Sequence, residues 1–163
     1  MLEPLNIWSM SPEAIGREMS NFAHTPFVLD GVEFGSVESF YVWLMLSGGG
    51  NEHKRERVRP MWALHAKRLY PKVRPERICY GGTWIDVGGG DHIGIIKRAL
   101  RAKLDAHPDI ARRFVETRPR PLVHETGFPD KPDAEFPKET LCRLLTELRE
   151  EFAARLGATK TDE

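Results

Sequence analysis

Between Val37 and Leu46 the chain runs through ten residues of which only Glu38 and Ser39 are not apolar, and Phe40, Tyr41 and Trp43 are among the rest. A stretch of that length with no turn residue reads as a helix, and one this apolar belongs inside a core. Ser36 supplies the side-chain oxygen that an N-cap requires, and Gly48–Gly50 ends the helix. The rest of the chain has to provide the enclosure. With 163 residues, 40% of them apolar and 29% charged, it is large enough to close one core without disulfide or metal staples. A single domain over residues 1–157, with 158–163 as a frayed tail, is the expectation.

The elements around that helix follow from punctuation and period. Phe27 to Phe34 reads as two short strands joined at Asp30-Gly31, a dipeptide that supplies positive φ in a tight hairpin turn. Asn51 to Arg59 reads as a charged connection leading to a helix opened by Pro60 and running from Met61 to Tyr70, which Pro71 closes. Ile93, Ile96, Leu100 and Leu104 recur at helical spacing behind an Asp91 cap, predicting a helix over 92–106. Pro108 opens another, carrying Ile110, Ala111, Phe114 and Val115, and Leu122-Val123 is a candidate strand. Residues 127–137 hold three prolines and no helical period, hence a loop. Lys138 to Arg155 gathers Leu141, Leu144, Leu145, Leu148 and Phe152 on one side of a last helix. Helices outnumber strands, which points to an α+β fold: mainly helical, with a small β-hairpin or sheet.

Several function classes drop out. Cys79 and Cys142 stand far apart in no CxxC spacing, and His65, His92 and His107 form no ligand pattern, so neither a disulfide framework nor a metal site is expected. The first ten residues are acidic and broken by Pro4, and no run of about 18 apolar residues occurs, which argues against signal peptide and membrane span and for the cytoplasm. The net charge of zero conceals a basic middle. Residues 51–121 hold 17 Lys/Arg against 8 acids, and both flanking stretches are acidic. Such a middle can meet phosphates, although a solvated helix face accounts for most charges of this kind.

Ser20-Asn21-Phe22, then Pro26-Phe27, Asp30-Gly31 and Ser36-Val37-Glu38-Ser39-Phe40-Tyr41, stand in an order and spacing that resemble the opening of the NADAR/YbiA-like proteins. The likeness continues more thinly through Ala66-Lys67, Trp84, Ala102-Lys103-Leu104, Thr117 and the helix containing Leu144-Leu145 and Leu148-Arg149. There are also departures. Leu44-Met45-Leu46 stands where the group has Q-K-F, so a lysine is replaced by Met45; Leu122-Val123-His124 stands where it has L-V-E, with Glu125 one place late; and its D-x-x-W-G stretch is replaced by residues 127–138, with Phe128, Asp130, Asp133 and Phe136.

The resemblance implies an N-glycosidase that cleaves the bond between a ribosyl group and a nitrogen base without metal or redox cofactor. Two substrate types follow from it, a ribosylamino-pyrimidine intermediate or ADP-ribosyl-guanine, so the expected partner is a small-molecule nucleotide or an ADP-ribosylated nucleic acid. Glu38 is the candidate catalytic carboxylate, suited to stabilising a ribosyl cation and orienting water; the bland alternative is a carboxylate held by its own helix end. Glu125 is the candidate acid for the departing base, with His124, Asp130 and Asp133 nearby in sequence. Asn21, Phe22, Tyr41 and Trp84 are the candidate substrate-binding residues, through an amide that reads hydroxyls or base edges and rings that stack. Gly88-Gly89-Gly90 before a helix start invites a phosphate, but Asp91 at the cap opposes it. Lys103 reads as a side chain snorkelling from the border of its helix. The rival readings are an inactive ADP-ribose or nucleotide-binding module and a nucleic-acid-binding domain that uses the basic middle.

Overall fold

A computed structural model describes residues 1–159. In chain order the described elements are β1 (Leu5–Asn6), α1 (Ala14–Met19), β2 (Phe27–Leu29), β3 (Val32–Phe34), α2 (Val37–Met45), α3 (Glu52–Val58), α4 (Ala63–Lys67), β4 (Arg77–Tyr80), β5 (Thr83–Asp86), α5 (Gly90–Ala106), α6 (Pro108–Glu116), β6 (Leu122–Val123) and α7 (Lys138–Thr159). The strands pair two by two: β1 with β6 in parallel, β2 with β3 and β4 with β5 antiparallel. The fold is α+β with small sheets, as the sequence predicts. The chain resolves into two compact units, Asn21–Ala106 and the flanking segments Met1–Ser20 and His107 onward.

The Asn21–Ala106 unit is organised about α2, which touches β3, β4, α3, α4 and α5. Phe40, Val42, Leu44 and Met45 are each at most 2% exposed. The rings of Phe27, Phe34, Phe40, Trp43 and Tyr80 form one cluster in which Phe40 and Trp43 stack and the other contacts are edge-on or tilted, geometries that suit their quadrupoles. On another side Val42, Leu46, Val58 and Ala66 form a second apolar cluster, flanked by Trp43, Met61, Leu69 and Tyr70. The β2–β3 turn has Asp30 at φ 50° and Gly31 at φ 80°, the doubly left-handed turn that a two-residue hairpin prefers. The Asp30 carboxylate accepts from the Tyr80 hydroxyl and from Arg98 (2.6 Å), bracing that turn against β4 and α5. Burial, reinforced by the neighbouring Asp30, pushes the Tyr80 phenol up to about 12.

In the flanking unit, β1 and β6 pair through Leu5↔Leu122 and Asn6↔Val123, while α7 packs on α6 and β6, and α1 on α6. Arg120 holds the N-terminal segment with two bonds to the Glu13 carboxylate (2.7 and 2.8 Å) and bonds to the Glu3 and Pro4 carbonyls. Arg149, 3% exposed, donates to Thr117 Oγ1 and to the Arg120 carbonyl, so it fastens the end of α6 to α7.

Several expected elements come out differently. Residues 52–58, read as a connection, form α3 although only Val58 is buried. The anchor is tertiary: the Arg55 guanidinium lies 3.7 Å from the Trp43 ring centre and its Nε donates to the Trp43 carbonyl. The helix expected from Met61 to Tyr70 shrinks to Ala63–Lys67 because the Met61 carbonyl accepts from Ser36 Oγ and Ala63 takes φ 50°. The β4–β5 hairpin turns at Gly81 and Gly82, both at positive φ, a signal that a Gly-Gly pair carries in any sequence. Lys103 is fully buried rather than snorkelling, since it falls between Ala99, Leu100 and Leu104 on the buried face of α5. Asp91 lies inside the first turn of α5, not at its cap. The last helix continues to Thr159, past Gly157, and residues 160–163 of the expected tail lie outside the described residues.

At Gly35 the chain passes close against its own backbone. A Cβ there would sit 2.4 Å from the Pro60 carbonyl oxygen, whereas one on Gly49 would meet open space. Gly35→Ala is therefore expected to cost about 1–3 kcal/mol, the usual range for overpacking, and Gly49→Ala to stay within about 0.5 kcal/mol of the parent. Urea denaturation of the two variants checks the contrast.

Candidate functional site

Helix α2 begins with a reciprocal cap. Ser36 Oγ accepts from the Ser39 N–H at 3.0 Å, and Ser39 Oγ accepts from the Ser36 N–H at 3.2 Å. Glu38 is the second residue of the helix, and its own N–H donates to the Asn21 carbonyl at 2.9 Å. That bond satisfies one of the donors a helix start leaves open and ties Asn21 and Phe22 to the start of α2. From the other direction α4 packs on α2 and ends at Lys67, whose Nζ lies 5.6 Å from the Phe22 ring centre. Tyr41 stands one turn beyond Glu38 on the same face. Its ring lies parallel to Tyr70, with centres 6.4 Å apart, and tilted against His92 at 5.9 Å.

The electrostatics of Glu38 separate it from the other carboxylates. Glu38 is half-buried, at the first turn of an otherwise enclosed helix. Loss of hydration pushes its carboxyl up to about 7, and the Lys67 ammonium pulls the other way. Glu13 and Asp30 illustrate the opposite case, held low by hydrogen bonds from Arg120 and from Tyr80 and Arg98. A carboxyl that divides between its two forms near neutral pH is what acid–base chemistry requires. Asn21 adds a second feature, because its Oδ1 is buried with no hydrogen-bond partner among the described residues; such an acceptor is costly unless something binds it.

Of the residues singled out in the sequence, Asn21, Phe22, Glu38 and Tyr41 are thus gathered around the start of α2. Trp84 lies on β5, paired with Cys79 and 51% exposed. Glu125 belongs to the flanking unit and is exposed; its backbone N–H and C=O are clasped by the Asn6 side-chain amide at 2.9 Å each. Burial pushes the Cys142 thiol up to about 11, and the nearby Glu125 charge adds to the shift. In the same unit the His124 ring is bonded to the Ile7 carbonyl, and Asp130 accepts from the Lys138 N–H at the start of α7. Met45, standing where a lysine was expected, is 2% exposed and part of the core. The Gly88 N–H is taken by His92 Nδ1 at 2.9 Å, which agrees with the reading against a phosphate cradle there. Lys67 had no assigned role in the sequence reading; its signal was the Ala66-Lys67 pair, in which Ala66 is buried and Lys67 exposed. Among the described residues no group of three or more His, Cys, Asp or Glu is placed to hold a metal.

A separate groove of about 450 Å³ is lined by Pro26, Phe27, Val28, Glu33, Ala102, Asp105 and Ala106. It offers two carboxylates on an apolar wall and no cation, a poorer setting for a phosphorylated ligand than the start of α2.

The fold is that of the E. coli protein YbiA. Its NMR structure matches with a TM-score of 0.68 and 24% sequence identity, covering 94% of this chain and 86% of that one. No family model matches the chain, and no curated protein matches it.

The raised Glu38 carboxyl has a consequence for stability. Below the unfolded value near 4.5 both states are protonated; as pH rises through about 7 the unfolded chain has ionised first, so stability is lost over that window. Glu38→Gln is expected to match the parent below pH 4.5 and to exceed it by roughly 3 kcal/mol at pH 8. Urea melts at the two pH values provide the check, and a constant difference would rule out the raised pKa.

Proposed function

We propose that the protein is an N-glycosidase that hydrolyses the ribosyl N-glycosidic bond of a nucleotide-type substrate, either a ribosylamino-pyrimidine or ADP-ribosyl-guanine. The observation that carries this reading is the half-buried carboxyl of Glu38 at the start of α2, tied through its N–H to Asn21 and opposed by the Lys67 charge; the YbiA fold agrees with it. As the C–N bond breaks, positive charge develops at the anomeric carbon, and an ionised Glu38 stabilises it while orienting the attacking water. The water oxygen bonds to that carbon, its proton passes to the carboxylate, and the base departs with a proton from a general acid. Lys67 keeps a share of Glu38 ionised and offers its exposed ammonium to a substrate phosphate. Asn21 Oδ1 accepts from a ribose hydroxyl or a base N–H, and Phe22, Tyr41 and Trp84 flank the ligand. None of these roles draws on a metal or redox cofactor, and the cytoplasm is the proposed compartment; among the described residues no helix is long and apolar enough to cross a membrane.

A second reading, a nucleotide-binding module without turnover, is favoured by Met45: an enclosed thioether cannot transfer the protons a lysine could. Chromatography of free base released from each substrate type separates the two readings. Glu38→Gln is expected to lower release at least about 100-fold with binding retained. The rate should rise with pH through about 7, as the ionised form accumulates, and Lys67→Ala should move that rise to higher pH by removing the charge that favours the carboxylate. No release from either substrate, with saturable binding, would leave the module.

A further inference from the structure

Trp62 is the N-cap residue of α4 and leaves 42% of its surface exposed. The His24 imidazole lies flat against its indole, 4.2 Å between centroids and 21° from parallel, and His65 approaches the same indole at 6.2 Å and 65°. Both imidazoles are exposed. Core packing does not account for this arrangement: Ala66 is the buried residue of α4, and Leu64 is 54% exposed. A single exposed aromatic is ordinary, whereas a stacked pair displayed beside a second ring and an apolar side chain marks a surface that meets something. The backbone agrees, since Ala63, directly after Trp62, holds φ 50°, a strained conformation for a residue with a Cβ and one that concentrates at binding sites.

The segment that carries the stack is basic on balance. Residues 52–77 contain nine Lys/Arg against three Glu, and Lys67 and Arg68 stand exposed at the end of the same helix. Two chain segments run side by side here. His24 meets Trp62 at one end, and Phe22 meets Lys67 at the other. At 1.5 Å of rise per residue, the five residues from Trp62 to Lys67 span roughly 7–8 Å, about two steps of a stacked strand.

We propose that the Trp62–His24 stack is a landing platform for a base of single-stranded nucleic acid, with Lys67 and Arg68 taking the adjoining phosphates. An open aromatic face beside cations is the combination that unpaired strands recognise, since every base offers a π-face and every linkage a negative charge. A duplex hides its base faces, and an acidic peptide would use the cations and ignore the indole. The platform goes beyond the glycosidase reading and does not depend on it, because an unmodified strand suffices to fill it.

The test is fluorescence anisotropy of a labelled homothymidine strand of about 10 nucleotides, within the usual site size for such surfaces, against the parent and single variants over a range of salt. Trp62→Ala is expected to weaken binding roughly 5- to 150-fold, the value of one lost base stack. Trp62→Phe should keep most of the affinity, and His24→Ala should lose part of it. Arg68→Gln should reduce the slope of log affinity against log salt by roughly 0.7, one phosphate contact on a single strand. The parent should prefer the single strand to a duplex of equal length, and Trp62→Ala should lose that preference. Parent-like affinity of both Trp62→Ala and His24→Ala, equal affinity for duplex and single strand, or displacement by polyglutamate as readily as by unlabelled strand would overturn the proposal. Trp62 is exposed, so its variants are expected to fold; should Trp62→Ala fail to, Trp62→Phe and His24→Ala decide. Strand binding is read without any glycosidic substrate and base release without any strand, so a failed platform and a failed glycosidase give different results.

Discussion

The hydroxyl of Ser36 holds the candidate site together. It accepts the Ser39 N–H that starts α2 and donates to the Met61 carbonyl just ahead of α4, so one side chain fixes both the origin of the central helix and the approach of the short helix that brings Lys67. The Gly35 N–H bonds the Arg59 carbonyl at 2.7 Å beside it. Because α2 is enclosed by the elements it touches, its first turn has few ways to shift, and Glu38 is held where its neighbours leave it.

The chain tolerates a carboxyl there at some expense to stability. Elsewhere its acids lie at the surface in pairs such as Glu13 with Arg120 or Glu18 with Arg113, arrangements that contribute little individually. Glu38 has lost much of its water and gained only a partial counter-charge. A glutamine at that position would keep the shape without the cost of an ionised group that has lost its water.

Much of the fold was legible because its signals are local. Asp30-Gly31 fixes a hairpin whatever surrounds it, Ser36 announces a helix start, and the apolar period of α5 and α6 survives in any context. The elements that differed depend on distant partners. Helix α3 has one buried residue and rests on Arg55 stacking against Trp43, twelve positions earlier; nothing in residues 52–58 announces that. The start of α4 was set by a hydrogen bond to Ser36 rather than by Pro60. For the site, the S-N-F and S-V-E segments pointed to Asn21, Phe22, Glu38 and Tyr41, which do gather, since the Glu38 N–H bonds the Asn21 carbonyl and Tyr41 follows by one turn. Lys67 escaped because a lysine's effect on a glutamate 29 residues away is decided by the packing of two helices, which residue spacing does not reveal.

The hydrogen atom that stands in for a side chain at Gly35 acts as a spacer gauge. Its size determines how closely the Pro60–Met61 backbone can settle against the entry to α2, and that backbone carries the five-residue helix with an ammonium at its far end. A feature of steric fit more than thirty residues from Lys67 therefore bears on where that ammonium stands relative to Glu38, a matter of volume as well as of charge.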